Sequence, residues 1–249
     1  MAEASGPLER TGIARPSLFL IAGGRSALRR RGPDPLIAAA LAAAGVRAPR
    51  VAYLGAASGD NAAFRVLIGG MLKKAGASGV VLAPLCGKRA DPEKARKVLT
   101  DCDVVFVSGG DVEEGMRVLR ETRMSRFLRA LHAAGRPFFG VSAGSIMLAR
   151  AWVRWRDPDV EESAELFPCL GFAPVLCDTH GEAEGWEELR ALLALSPVGT
   201  VGYGIASGTA LVVGPDGQAS AAGGEVQTFR RGASGVAQAE SLQPAKERP

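Results

Sequence analysis

The chain has 249 residues, 47% of them hydrophobic and 22% charged, with 32 Gly, 15 Pro and 4 Cys. This composition suits a globular protein that buries a core without covalent staples, and it excludes collagen-like, disulfide-scaffold and wholly disordered chains. A formal charge of +4, from 30 basic and 26 acidic residues, is too even for a nucleic-acid footprint, which gathers basic residues on one face.

The longest apolar runs, such as Ser17–Ala22 and Val104–Val107, fall far below the roughly 20 residues of a membrane-spanning helix. Neither a membrane nor a nucleic-acid partner is expected. The start, Met-Ala-Glu-Ala-Ser-Gly-Pro, lacks the basic and apolar stretches of a secretory signal, so a cytoplasmic location is expected. Cys86, Cys102, Cys169 and Cys177 have no Cys-x-x-Cys spacing and no neighbouring His pair. Buried reduced thiols are expected, with no metal site.

Residues 1–16 mix Gly, Pro and charge without periodicity and read as a flexible tail. Five apolar runs follow: Ser17–Ala22, Arg50–Gly55, Gly79–Pro84, Asp103–Val107 and Arg136–Val141. Each is continuously apolar, the pattern of a strand covered on both faces. Helical patterns lie between and after them, at about Asp34–Ala44, Asn61–Ala75, Asp91–Leu99, Glu113–Arg120, Ser125–Ala134 and Gly144–Trp152. This alternation predicts a doubly wound α/β domain with a mostly parallel sheet flanked by helices. Arg29-Arg30-Arg31 reads as a solvated loop.

Beyond Trp155 an acidic loop leads to a strand at Phe172–Cys177 and a helix at about Trp186–Leu195. Runs at Gly202–Ile205, Thr209–Val213 and Gly224–Phe229, separated by Gly-rich turns, predict antiparallel strands finishing the edge of the same sheet. The domain is read as 17–229, with a second flexible tail over 230–249.

Gly140-Val-Ser-Ala-Gly144 is a G-x-S-x-G pattern between an apolar strand and a helical run, the context of a nucleophile elbow. Ser142 is the candidate nucleophile, and the helix beginning there favours developing negative charge. Of the two histidines, His132 lies in a helical run, whereas His180 follows a strand at the carboxyl edge of the sheet, where ligand sites of open α/β sheets lie. His180 is the candidate base. A carboxylate should orient the imidazole; from the residues alone Asp157, Asp159, Asp178 and Glu182 all stay open. Ala143, after the nucleophile, is one expected oxyanion donor, and Gly110 in Ser108-Gly-Gly-Asp111 is the other. No G-x-G-x-x-G or G-K-[ST] loop is present, so no nucleotide cofactor is expected.

These residues resemble the serine peptidase family that contains dipeptidase E and cyanophycinase, whose fold is related to class I glutamine amidotransferase domains. The resemblance runs from about Ser17 to Val213. It rests on Gly23-Gly24, the Gly109-Gly110-Asp111 turn, Gly140–Gly144, Asp178-Thr-His180, and Gly202-Tyr-Gly-Ile205 followed by Thr209-Ala-Leu211. It implies Ser142 as nucleophile, His180 as base, Asp157 as the acid about fifteen residues past the serine, and Gly110 and Ala143 as oxyanion donors, with no cofactor. Asp111, Glu182 and Glu184 are the expected substrate contacts.

The chain departs from these relatives in three places. Ala206-Ser207 replaces an acidic pair, which leaves no acid for a triad there; Val112 replaces a Gln; and Gly181-Glu-Ala-Glu-Gly-Trp-Glu-Glu188 replaces an Arg-containing segment. Four Glu in place of a cation disfavour a substrate carboxylate. A hydrolase of short peptides or amides, not specific for aspartyl dipeptides and possible as a homodimer, is expected. The alternative is a non-catalytic binding protein with a degenerate site.

Overall fold

The computed structural model describes residues 16–24, 32–157 and 159–244. Residues 1–15 of the expected N-terminal tail, Arg29-Arg30-Arg31 and residues 245–249 lie outside the described residues.

The apolar runs form β1 (Leu18–Ile21), β2 (Arg50–Leu54), β3 (Gly79–Leu82), β4 (Val104–Val107) and β5 (Phe138–Val141). Between them lie α1 (Pro35–Ala42), α2 (Ala62–Lys74), α3 (Pro92–Asp101), α4 (Val112–Glu121) and α5 (Met124–Ala133). Asp34, Asn61, Asp91 and Asp111 start four of these helices by accepting first-turn backbone N–H groups, which satisfies donors that have no partner inside the helix.

The chain continues with α6 (Ala143–Leu148), β6 (Ala151–Trp155), β7 (Ala164–Pro168), β8 (Leu176–Thr179) and α7 (Glu187–Ala194). It ends with β9 (Val201–Ile205), β10 (Ala210–Val213), β11 (Ala219–Ala222), β12 (Val226–Gly232) and β13 (Gly235–Leu242).

The main sheet has seven strands in the order β11-β10-β1-β5-β4-β2-β3. The five strands from β1 to β3 in that order are parallel, and β10 and β11 are antiparallel. Successive residues of each central strand go to opposite faces. Leu20, Leu54, Val105 and Val107 pack toward α3–α6, while Ile21, Tyr53, Val104 and Phe106 pack toward α1 and α2. Both faces are covered, which is why these strands read as unbroken apolar runs.

Four expectations are corrected. The helix read at Gly144–Trp152 stops at Leu148, because Ala149 is extended and the next residues pair with β7 as a hairpin. The strand read at Phe172–Cys177 is paired over Leu176–Thr179. The strands at Gly202–Ile205 and Gly224–Phe229 do not finish the main sheet: β9 and β12 join a second sheet ordered β13-β12-β9-β8, packed against Trp186, Leu189 and Leu193. Finally, residues 230–242 are not a tail but lie in the β12–β13 hairpin. The last strand is an edge with little burial, so its small and polar composition matches that of a disordered segment.

Among the described residues no helix is long and apolar enough to cross a membrane. No group of three or more His, Cys, Asp or Glu there could hold a metal ion. Cys102, Cys169 and Cys177 are buried free thiols, and Cys86 is half-buried.

Candidate active site

Ser142 stands between β5 and α6 with φ 54° and ψ −126°, a positive-φ conformation that costs a non-Gly residue on the order of 1–3 kcal/mol. Several contacts hold the bend. The Ser142 N–H donates to the Ile21 carbonyl at 2.8 Å, and the buried Ser145 hydroxyl donates to the same oxygen at 2.9 Å. The flanking glycines let the helix close on the strands: a Cβ at Gly144 would come within 2.1 Å of the Val107 carbonyl oxygen.

The Gly109-Gly110 turn after β4 lies against this bend. A Cβ on Gly109 would stand 3.2 Å from that of Ser142. Gly110 has φ 142°, and a Cβ there would meet the Ala57 carbonyl oxygen at 2.0 Å, so no other residue fits. That same carbonyl accepts from the Asp111 N–H at 2.8 Å, which docks the turn on the Ala56–Ser58 segment. Below it, the Ser58 and Ser108 hydroxyls are 3.2 Å apart, and the Asp60 carboxylate accepts from Leu85 and Cys86 N–H groups at 2.7 and 2.8 Å.

His180 follows β8 with φ 67°. Strands β8 and β9 are parallel with Thr179 opposite Ile205, so residues just past both strands meet at one edge. There His180 Nδ1 lies 3.0 Å from Ser207 Oγ, and the Ser207 N–H donates to Glu182 Oε1 at 3.0 Å. Partial burial raises the Glu182 carboxyl, but hydrogen bonds from the Ser207 N–H and hydroxyl, with His180 nearby, outweigh it and hold the carboxyl below its usual range.

Ser142, His180, Gly110 and Ala143 line one cavity of 370 Å³, whose other wall is Asp178, Glu184, Glu187 and Glu188. Trp152 also lines it, and its indole N–H donates to Glu188 at 2.8 Å. Asp178 is buried, and one of its oxygens accepts from the Thr179 N–H at 2.7 Å. Burial, and then the negative charges of Glu188, Glu182 and Glu184, push its carboxyl up to about 7 against the pull of that hydrogen bond.

The cavity thus brings together Ser142, His180, Gly110, Ala143, Asp111 and Glu184. Asp111 caps α4 through the Glu114 N–H at 2.7 Å. Glu182 is a correction: it sits behind the imidazole on Ser207 and is not among the cavity-lining residues. Asp157 is another. It is exposed, its carboxylate accepts from the Asp159 N–H at 3.1 Å, and neither cavity lined by Ser142 includes it. Asp159 faces a neighbouring groove. Ser207, which in the sequence stands only as the loss of an acid, provides the imidazole's partner. The one available signal was its place two residues past a strand that could align with the one before His180.

The model of peptidase family S51 matches residues 18–220. The chain belongs to peptidase family S51. It is therefore a serine-type peptidase of the dipeptidase E family. This S51 peptidase is similar in fold to the crystal structure of a peptidase from an acI-B1 actinobacterium, with TM-score 0.64 and 16% identity over 92% of this chain and 97% of that one. It is also similar to a candidate peptidase E from Listeria monocytogenes EGD-e, with TM-score 0.57 and 16% identity over 84% of this chain and 98% of that one. No curated protein sequence matches the S51 peptidase.

Proposed function

We propose that this S51 peptidase cleaves short peptides or amide-linked substrates through an acyl-enzyme on Ser142. The observation that carries the reading is the shared cavity of Ser142, on its strained bend, and His180, whose Nδ1 is engaged by Ser207. With Nδ1–H donating to Ser207 Oγ, Nε2 is the nitrogen that accepts a proton.

Ser142 Oγ attacks the scissile carbonyl while His180 takes the hydroxyl proton, and the carbonyl electron pair moves onto oxygen. The Gly110 and Ala143 N–H groups receive that oxyanion. His180 then returns the proton to the leaving amine, and water repeats the sequence on the acyl-enzyme. The Glu182 charge, acting through Ser207, stabilises the imidazolium.

The acidic wall favours substrates with a cation near the scissile bond and disfavours a carboxylate there. Glu184, Glu187 and Glu188 continue into a second groove with Asp159 and Glu161, where, among the described residues, these five carboxylates outnumber Arg190, which extends the same charge preference. Aspartyl dipeptides are therefore poor substrates.

Reaction with a fluorophosphonate probe tests the reading. Labelling should fall on Ser142, disappear in Ser142→Ala and slow sharply in His180→Ala, with peptide turnover lost in parallel. An unreactive Ser142 would leave a site that binds without turnover.

A further inference from the structure

Ser142 and His180 also line a second cavity of 660 Å³, on the α1–α2 side of the main sheet. Its described walls include Ile37, Phe64, Ile68, Met71 and Val141. Ile37 and Ile68 belong to the core, and Phe64, Met71 and Val141 pack on it. Asp34 also lines this cavity, but its carboxylate is committed to the Leu36 and Ile37 N–H groups at the start of α1. The acidic cavity, by contrast, is bounded by Val112 and Ile146, which belong to the core on the opposite face. Ser142 and His180 therefore sit between an apolar cavity and an acidic one.

We infer that the 660 Å³ cavity is a subsite for a large apolar side chain, so that the preferred substrate has an apolar group on one side of the scissile bond and a cation on the other. The inference rests on the reading of Ser142 as the nucleophile. A pocket of this size accommodates a side chain as large as Leu, Met or Phe. Its walls gain apolar burial from such a group, whereas an acidic or amide side chain entering there would be desolvated against Ile37, Phe64, Ile68 and Met71, with no Lys or Arg among the described wall residues. Met71, unbranched and polarisable, lets the wall adapt to more than one apolar shape. Discrimination between a large apolar residue and Ala or Asp is on the order of 10- to 100-fold in kcat/KM.

The test uses the full chain and dipeptides that pair Lys with Ala, Leu, Phe or Asp in both sequence orders. Peptidyl phosphonates with the same side chains provide a second readout through the rate of Ser142 labelling. In one order Leu and Phe should exceed Ala and Asp about tenfold or more. Met71→Trp, which fills the cavity, should bring the Leu-to-Ala ratio close to one, and Phe64→Ala should move the optimum toward larger side chains. Because each ratio is taken within one variant, a reduced folded fraction does not alter it.

Equal turnover or labelling across the side chains, or a ratio unaffected by Met71→Trp, overturns the apolar subsite and leaves the hydrolase reading standing. If no peptide is cleaved and no phosphonate labels Ser142, the hydrolase reading falls and takes this inference with it.

Discussion

His180 and Ser207 are 27 positions apart in the chain, yet the imidazole Nδ1 and the serine Oγ stand 3.0 Å apart. The contact follows from the parallel register of β8 and β9, which sets Thr179 opposite Ile205 and brings the residues that follow both strands to one edge. Glu182 lies behind Ser207, so a carboxylate reaches the imidazole through a hydroxyl.

This relay predicts that Ser207→Ala lowers kcat about 10- to 100-fold, the worth of one hydrogen bond to a group that becomes charged in the transition state. Ser207→Asp should recover most of the loss and shift the acidic limb of the kcat/KM profile to higher pH, because a carboxylate beside the imidazole favours its charged form. Glu182→Gln should lower kcat in the wild type and have little further effect in Ser207→Ala, since the two act in series. Full additivity in steady-state kinetics of the double variant would disprove the relay.

Asp157 offers a direct contrast. Its carboxylate serves a local turn through the Asp159 N–H, so Asp157→Ala should leave kcat/KM within about twofold of wild type, as expected for an exposed residue away from the chemistry. A loss comparable to that of Ser207→Ala would return Asp157 to the site.

Gly110→Ala is expected to damage both stability and turnover. At φ 142° the new Cβ would overlap the Ala57 carbonyl, and the backbone conformation alone costs about 1–3 kcal/mol. Relief requires the turn to leave the Ala56–Ser58 segment, which displaces the proposed oxyanion N–H. Thermal unfolding should show a lower Tm, and kcat should fall more than KM rises. A variant with unchanged kcat would remove Gly110 from the oxyanion site.

Asp178 makes stability depend on pH. Its carboxyl is raised in the folded chain to about 7 from 3.8, chiefly by burial. Between those values the folded protein holds a proton that the unfolded chain has released, so its contribution is fully present below about pH 4 and is lost as pH rises through 7. Asp178→Asn stays neutral and can still accept from the Thr179 N–H. At pH 8 it should be the more stable protein, by an amount on the order of 2–4 kcal/mol, and the difference should vanish near pH 4. Denaturant titrations at the two pH values measure this directly; parallel pH dependence in both proteins would refute it.

The parallel core was legible because its signals are local. Strands buried on both faces must be apolar throughout, and the helical patterns between them repeat within a few residues. The Ser142 bend was legible for the same reason: Gly140 and Gly144 lie two residues to either side of it, and the close approaches they permit leave a short pattern in the chain. The β12–β13 hairpin escaped because a barely buried edge strand has the composition of a tail.

The residues themselves thus determined which hydroxyl stands on a strained bend and which imidazole follows a strand. Only the tertiary structure decided what the imidazole leans on. Strand register is a relation between distant segments, so nothing near His180 in the chain announces Ser207, and nothing near Asp157 announces that its turn faces away. The pairing of an acidic cavity with an apolar one had the same origin, because its walls come from α1, α2 and β5 on one side and from the segments around Val112, Ile146 and Glu184–Glu188 on the other.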